Sequence, residues 1–188
     1  MLTRTGIVAL FAIWPIAAHA ETELKIVTRD GYVAFAVADH WPVISTETDL
    51  PIIAAVFQLP NSADAGAPDS TNLSISFFDL SSEKARREFK RAGASITGTP
   101  PTHESFQGWS ISRQRAFQDA TEYSIVDAKR DLETLSVAVR LAWPNLSNNP
   151  PSYSDDMERT LHSVLASVRQ HVGPWKPAEN ETVRRRTP

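Results

Sequence analysis

The spacing of apolar residues changes several times along the chain, and each change marks an element. From Leu73 to Leu80, Leu73, Ile75 and Phe77 share one face and Ser74 and Ser76 the other. That alternation predicts a strand with one buried face. In the last strand of the predicted set, Thr134 to Trp143, the residues Leu135, Val137, Val139, Leu141 and Trp143 fall on one face in the same way. Ile52 to Leu59 is almost wholly apolar, which predicts a strand covered on both faces. Tyr153, Met157, Leu161, Val164, Leu165, Val168 and Val172 recur at three- and four-residue steps. This predicts an amphipathic helix opened by Ser152 or Ser154 and stopped at Gly173-Pro174.

The remaining segments fill in between these. Leu24 to Arg29 and Tyr32 to Val37 read as a hairpin around Asp30-Gly31. His40-Trp41-Pro42 interrupts, and the β-branched run Val43 to Thr48 resumes. Asn61 to Asn72 and Thr97 to Thr102 read as loops. Between them, Ser81 or Ser82 caps a helix that runs to about Ala92 with Gly93 as its stop. Its apolar side is Ala85, Phe89 and Ala92. Gly108 to Phe117, Thr121 to Lys129 and Thr134 to Trp143 are joined by short links, so they pair antiparallel. Strands and helices come in blocks, which predicts an α+β domain: a mainly antiparallel sheet with helices packed on its faces.

The first twenty residues follow a different logic. Arg4 precedes the apolar run Ile7 to Ile16, which ends in Ala18-His19-Ala20, a small-x-small cleavage pattern. This is the layout of a secretory signal peptide. The run is about half of the roughly 20 residues a spanning helix needs. Residues 1–20 are therefore expected to be a leader cut near Ala20, residues 21–173 a single domain, and residues 174–188 a disordered tail. The expected location is the bacterial periplasm, or outside the cell, without membrane insertion after cleavage.

Composition narrows the chemistry. Loss of Arg4 takes the formal net charge from −3 to −4, which gives no reason to expect nucleic acid as a partner. There is no cysteine, so thiol catalysis, thiolate metal sites and lipid attachment through cysteine are excluded. No Gly-x-Ser-x-Gly, His-Glu-x-x-His or Gly-rich phosphate loop occurs. His40, His103, His162 and His171 lack ligand spacing; the last two are nine apart and face opposite ways if they share a helix. Asp155-Asp156 suits the positive end of a helix dipole, and Glu104 beside His103 is an isolated pair. No catalytic, cofactor-binding or metal residue is expected.

Two basic features stand out instead. Lys84, Arg86, Arg87, Lys90 and Arg91 line the outer side of the first helix, with Glu88 among them. Trp109, Ile111, Arg113, Arg115 and Phe117 share one strand face, where two arginines stand between aromatics. A solvated helix face and an edge strand with outward-turned arginines are the bland readings. The functional reading makes Arg86, Arg87, Lys90, Arg91, Trp109, Arg113 and Arg115 contacts for an acidic protein partner.

Gly31-Tyr32-Val33-Ala34-Phe35-Ala36-Val37 followed by Asp39-His40-Trp41-Pro42, in this order of elements, resembles the PsbP/Mog1-like superfamily of α/β/α domains. The resemblance covers roughly Leu24 to Val172 and carries over no site residue. The chain departs from the lipoprotein members in having no lipidation cysteine. Members are mostly non-enzymatic binding or assembly proteins, so the resemblance implies an α/β/α sandwich and a binding role. One expected form of that role is an immunity protein that neutralises a periplasm-targeted toxin, plugging it with the Asn61 to Asn72 or Pro100-Pro101 loop. The alternatives are a carrier with a sheet–helix pocket lined by Trp41, Trp109 and Trp143, and an uncharacterised hydrolase.

Overall fold

The structure, a computed structural model, describes residues 21–28, 31–48, 50–60, 71–94, 101–118, 120–133 and 135–173. The expected leader (1–20) and expected tail (174–188), Asp30 of the expected hairpin and most of both expected long loops, Pro100 included, lie outside the described residues.

Seven strands form the larger sheet, in the order β3-β4-β5-β9-β8-β7-β6. They are β3 (Val43–Glu47), β4 (Ile52–Leu59), β5 (Thr71–Phe78), β6 (Thr102–Phe106), β7 (Trp109–Gln118), β8 (Thr121–Asp131) and β9 (Ser136–Pro144). A separate three-stranded sheet has the order β1-β2-β10, from β1 (Glu21–Thr28), β2 (Gly31–Ala38) and β10 (Arg169–Val172). Every pairing in both sheets is antiparallel. The helices are α1 (Glu83–Arg91) and α2 (Tyr153–Ser167).

One face of the large sheet is the core. Leu73, Ile75 and Phe77 on β5 oppose Leu141, Val139 and Val137 on β9, and all six are buried. Phe35 of β2 packs directly on this face, with ring centroids 6.5 Å from Phe57 and 5.7 Å from Phe77. Burying a phenylalanine side chain contributes about 2 kcal/mol. Beside β2, α2 buries Tyr153, Met157, Leu161, Val164 and Leu165 in the same cluster. Two polar contacts fix its ends. Tyr153 Oη lies 2.6 Å from Thr71 Oγ1 on β5, and the Ala36 amide of β2 donates to Ser167 Oγ at 2.9 Å.

The opposite face is only partly covered. There α1 buries Ala85 over Ile52 and Phe78, and Phe89 packs at 5.4 Å from Phe78. Gly93, with φ +74, follows the helix and takes the left-handed conformation that ends it. Further along this face, buried Asp127 accepts from Arg140 Nε at 2.7 Å and Nη2 at 3.2 Å, tying β8 to β9.

This overturns the expected α/β/α sandwich with helices on the sheet faces. The protein is mostly antiparallel β structure in two sheets, with two helices among the described residues. The physical reason is that β2 supplies Phe35 where a helix layer was expected. On the other face α1 has nine residues and one buried side chain, too little to form a layer. The both-face burial expected of Ile52 to Leu59 fails for the same reason: Ile52, Phe57 and Leu59 are buried, and the intervening residues are partly exposed.

Two local expectations are also corrected. The last helix stops at Ser167, and residues 169–172 pair with Gly31–Ala34 of β2. His162 and His171 therefore sit on different elements, stacked on Phe106 and Tyr32 at 4.3 and 4.4 Å. Residues 102–106, read as loop end and connector, form β6. A two-residue turn joins β6 to β7, with Gln107 at φ 46 and Gly108 at φ 82. Two successive positive φ values are the geometry of a type I′ hairpin.

Candidate functional site

Two surfaces contain the sequence-selected residues, and they differ in how far their charges are already satisfied.

The first is α1. Ser82 occupies the N-cap position, and its carbonyl accepts the Arg86 amide at 3.0 Å. Ahead of the helix, the Ser81 side chain and amide both hydrogen-bond to Asp79, holding that carboxylate below its ordinary pKa. The Arg86 guanidinium folds back onto the Leu80 and Ser81 carbonyls at 2.8 and 3.2 Å. Arg91 pairs with Glu88 at 3.0 Å and Arg87 with Glu83 at 3.7 Å. Such exposed pairs stabilise by well under 1 kcal/mol. Lys84 and Lys90 are exposed and make no hydrogen bond or ion pair among the described residues. The helix thus brings Arg86, Arg87, Lys90 and Arg91 to one exposed element, as the sequence reading expected. Five cations face two acids there.

The second is the outer half of β7. Alternation does place Trp109, Ile111, Arg113, Arg115 and Phe117 on the core-side face, but their environments diverge. Trp109 is 1% exposed and belongs to the core, so it presents no contact surface. That corrects its assignment as a partner-binding residue: Phe106 of β6 lies opposite it, and the Arg130 guanidinium sits 5.9 Å from its ring centroid. Arg113 is also engaged internally. It forms a bidentate pair with Glu158 of α2 and meets Glu104 of β6 at 2.8 Å. The hydrogen bonds to Glu158 raise its pKa further, and burial opposes them. It thereby ties β6, β7 and α2 together, an internal engagement of a residue that was expected to bind a partner. Arg115 is 72% exposed and lies 3.5 Å from Glu122, and Phe117 is 73% exposed.

Sequence reasoning missed Glu158, because nothing local marks one carboxylate on the polar side of a helix as the partner of a distant arginine. It saw Glu104 only as a neighbour of His103. The signal available was β7 itself: an arginine on a core-facing position requires a carboxylate across from it.

The three tryptophans expected to share a pocket do not. Trp41 borders a small cavity of about 120 Å³ with Thr160 and Ser163 of α2. Trp109 lies in the packed interior, and Trp143 borders a cleft of about 500 Å³ at the end of the large sheet. Among the described residues no group of three His, Asp or Glu could hold a metal ion. No described helix is long and apolar enough to cross a membrane.

Comparison with known protein families finds no match, and comparison with curated proteins finds none. Among solved structures, the chain is similar to a Bacteroides thetaiotaomicron protein at 11% identity and a TM-score of 0.44. The match covers 74% of this chain and 45% of that one, and at that level it bears on neither fold nor role.

Proposed function

We propose that this chain is an exported, non-enzymatic protein-binding module whose contact surface is the basic face of α1 and whose partner is acidic. The observation that carries this reading is the incomplete neutralisation of α1. Among the described residues Lys84 and Lys90 form no ion pair, on a chain whose formal net charge is −3. A concentrated positive patch on an acidic protein favours encounter with a negative surface and fixes its register. The leader read in residues 1–20 would place that encounter outside the cytoplasm.

Affinity capture from periplasmic extract tests the reading when run on the wild type and on a Lys84→Glu, Lys90→Glu variant. Both substituted side chains are exposed, so the fold is expected to survive, as circular dichroism would check. The expected result is a partner retained by the wild type at low salt, weakened at high salt and lost by the variant. A partner held equally by both proteins would overturn the assignment of α1.

A further inference from the structure

The two sheets end in four edge strands, β1 and β10 on the small sheet and β3 and β6 on the large one. Three of them are short. β3 and β6 have five residues and β10 has four, and the β3 ladder shifts register between Val43 and Ser45. Short and bulged edges resist pairing with another chain. β1 has neither device. Its eight residues pair with β2 without a shift of register, and among the described residues no strand pairs with its other side. A long regular edge presents a row of backbone donors and acceptors to any strand that can reach it.

Alternation along β1 gives this edge two different faces. Leu24 and Ile26 turn inward and pack, partly buried, against the main core cluster. Glu21, Glu23, Lys25 and Val27 occupy the outer face. There Glu23 meets Lys25 at 3.6 Å and Arg169 of β10 at 3.2 Å. Such exposed pairs are weak, and a carboxylate in them still has acceptor sites for a further donor.

A second copy of β1 that pairs antiparallel, with its core face on the same side, must oppose inward residues to inward ones and outward residues to outward ones. The register centred on Leu24 sets Glu23 opposite Lys25 of the copy, twice by symmetry. It also sets Leu24 against Leu24 and Thr22 against Ile26. Centring the pair on Glu23 or on Lys25 instead brings like charges directly opposite, which is destabilising. The charge order of the strand thus selects one register, and that register closes the open side of the core beside Leu24 and Ile26.

We propose that β1 is a self-association edge: two copies of this chain join through β1 about a twofold axis at Leu24, merging their three-stranded sheets into one. An edge of this length makes a small interface, so the dimer is a weak one that forms at high concentration. The α1 surface takes no part in it.

Sedimentation equilibrium of the purified protein over a wide concentration range tests this, together with amide exchange. The expected mass rises from that of one chain toward that of two, with protection gained across Glu21 to Val27. Glu23→Lys and Lys25→Glu each set like charges across the twofold axis and are expected to weaken self-association at least about tenfold. Both positions lie on the solvated face, so circular dichroism is expected to show both variants folded. Mixing the two variants restores opposite charges at both places, so the mixture is expected to dimerise where neither variant does alone. A protein that stays monomeric at every concentration would overturn the proposal, including one whose β1 is protected only by a foreign partner. So would a dimer that survives either substitution unchanged, or two variants that fail to associate when mixed.

Discussion

The Arg113 guanidinium meets the Glu158 carboxylate through two parallel hydrogen bonds, 2.9 Å from Nε to Oε1 and 2.8 Å from Nη2 to Oε2. This pair joins β7 to α2, and Glu104 adds β6 through the same guanidinium. Both side chains of the pair are under a third exposed, so losing one partner leaves a charge in a place poorly served by water. Arg113→Leu is expected to cost about 2 kcal/mol, because it strands two carboxylates facing each other. Glu158→Gln is expected to cost about 1 kcal/mol, since Arg113 keeps Glu104. Urea unfolding of both single variants and the double variant measures the coupling.

The contact between Tyr153 and Thr71 carries a pH signature. Burial raises the Tyr153 pKa above the ordinary tyrosine value of 10, with the hydrogen bond to Thr71 opposing the shift. A folded-state pKa above the unfolded value means that the folded protein favours the neutral phenol. Its contribution is fully present below about pH 10 and is lost as pH rises through the folded-state pKa. Thermal unfolding is therefore expected to show an alkaline loss of stability that is reduced in Tyr153→Phe. At neutral pH that variant is expected to be less stable by about 1 kcal/mol, the net worth of one hydrogen bond.

Gly31 is where β2 accepts β10. A Cβ built there would lie 2.0 Å from the His171 carbonyl oxygen, a backbone atom that cannot move aside alone. Gly31→Ala is expected to dislodge β10 and to destabilise the protein by at least about 2 kcal/mol. Amide exchange should rise at Arg169 to Val172 more than in β5 or β9. Unchanged protection of β10 would contradict this account of the small sheet.

The turn between β6 and β7 is open to improvement. Gln107 adopts φ 46 ahead of Gly108 at φ 82, and asparagine tolerates that conformation better than glutamine in a two-residue hairpin. Gln107→Asn is expected to raise stability by about 0.5 kcal/mol, read as a higher midpoint in urea with an unchanged slope.

The strands with one buried face were legible because alternation is decided locally. Leu73, Ile75 and Phe77 face the core for the reason their spacing indicates, and so do the residues of β9. The short links between β7, β8 and β9 likewise dictated antiparallel neighbours. What escaped was settled at long range. Val164, Leu165, Val168 and Val172 continue a helical spacing, yet the chain leaves the helix at Val168, with ψ 116, to pair with β2. Thr102 to Phe106 is polar enough to read as a loop, and becomes a strand because Glu104 reaches Arg113 and Phe106 lies opposite Trp109. The expected sandwich failed over Phe35, whose place on β2 reveals nothing about packing on β4 and β5. Of the candidate site, the cations of α1 were readable from composition and helical period. The internal roles of Trp109 and Arg113 were not, since their partners come from other elements.

Amide hydrogen exchange on the protein with and without its captured acidic partner tests the central claim most directly. If α1 is the contact surface, added protection is expected across Glu83 to Arg91, fading as salt is raised. Protection that appears on other strands while α1 exchanges as it does in the free protein would contradict the account.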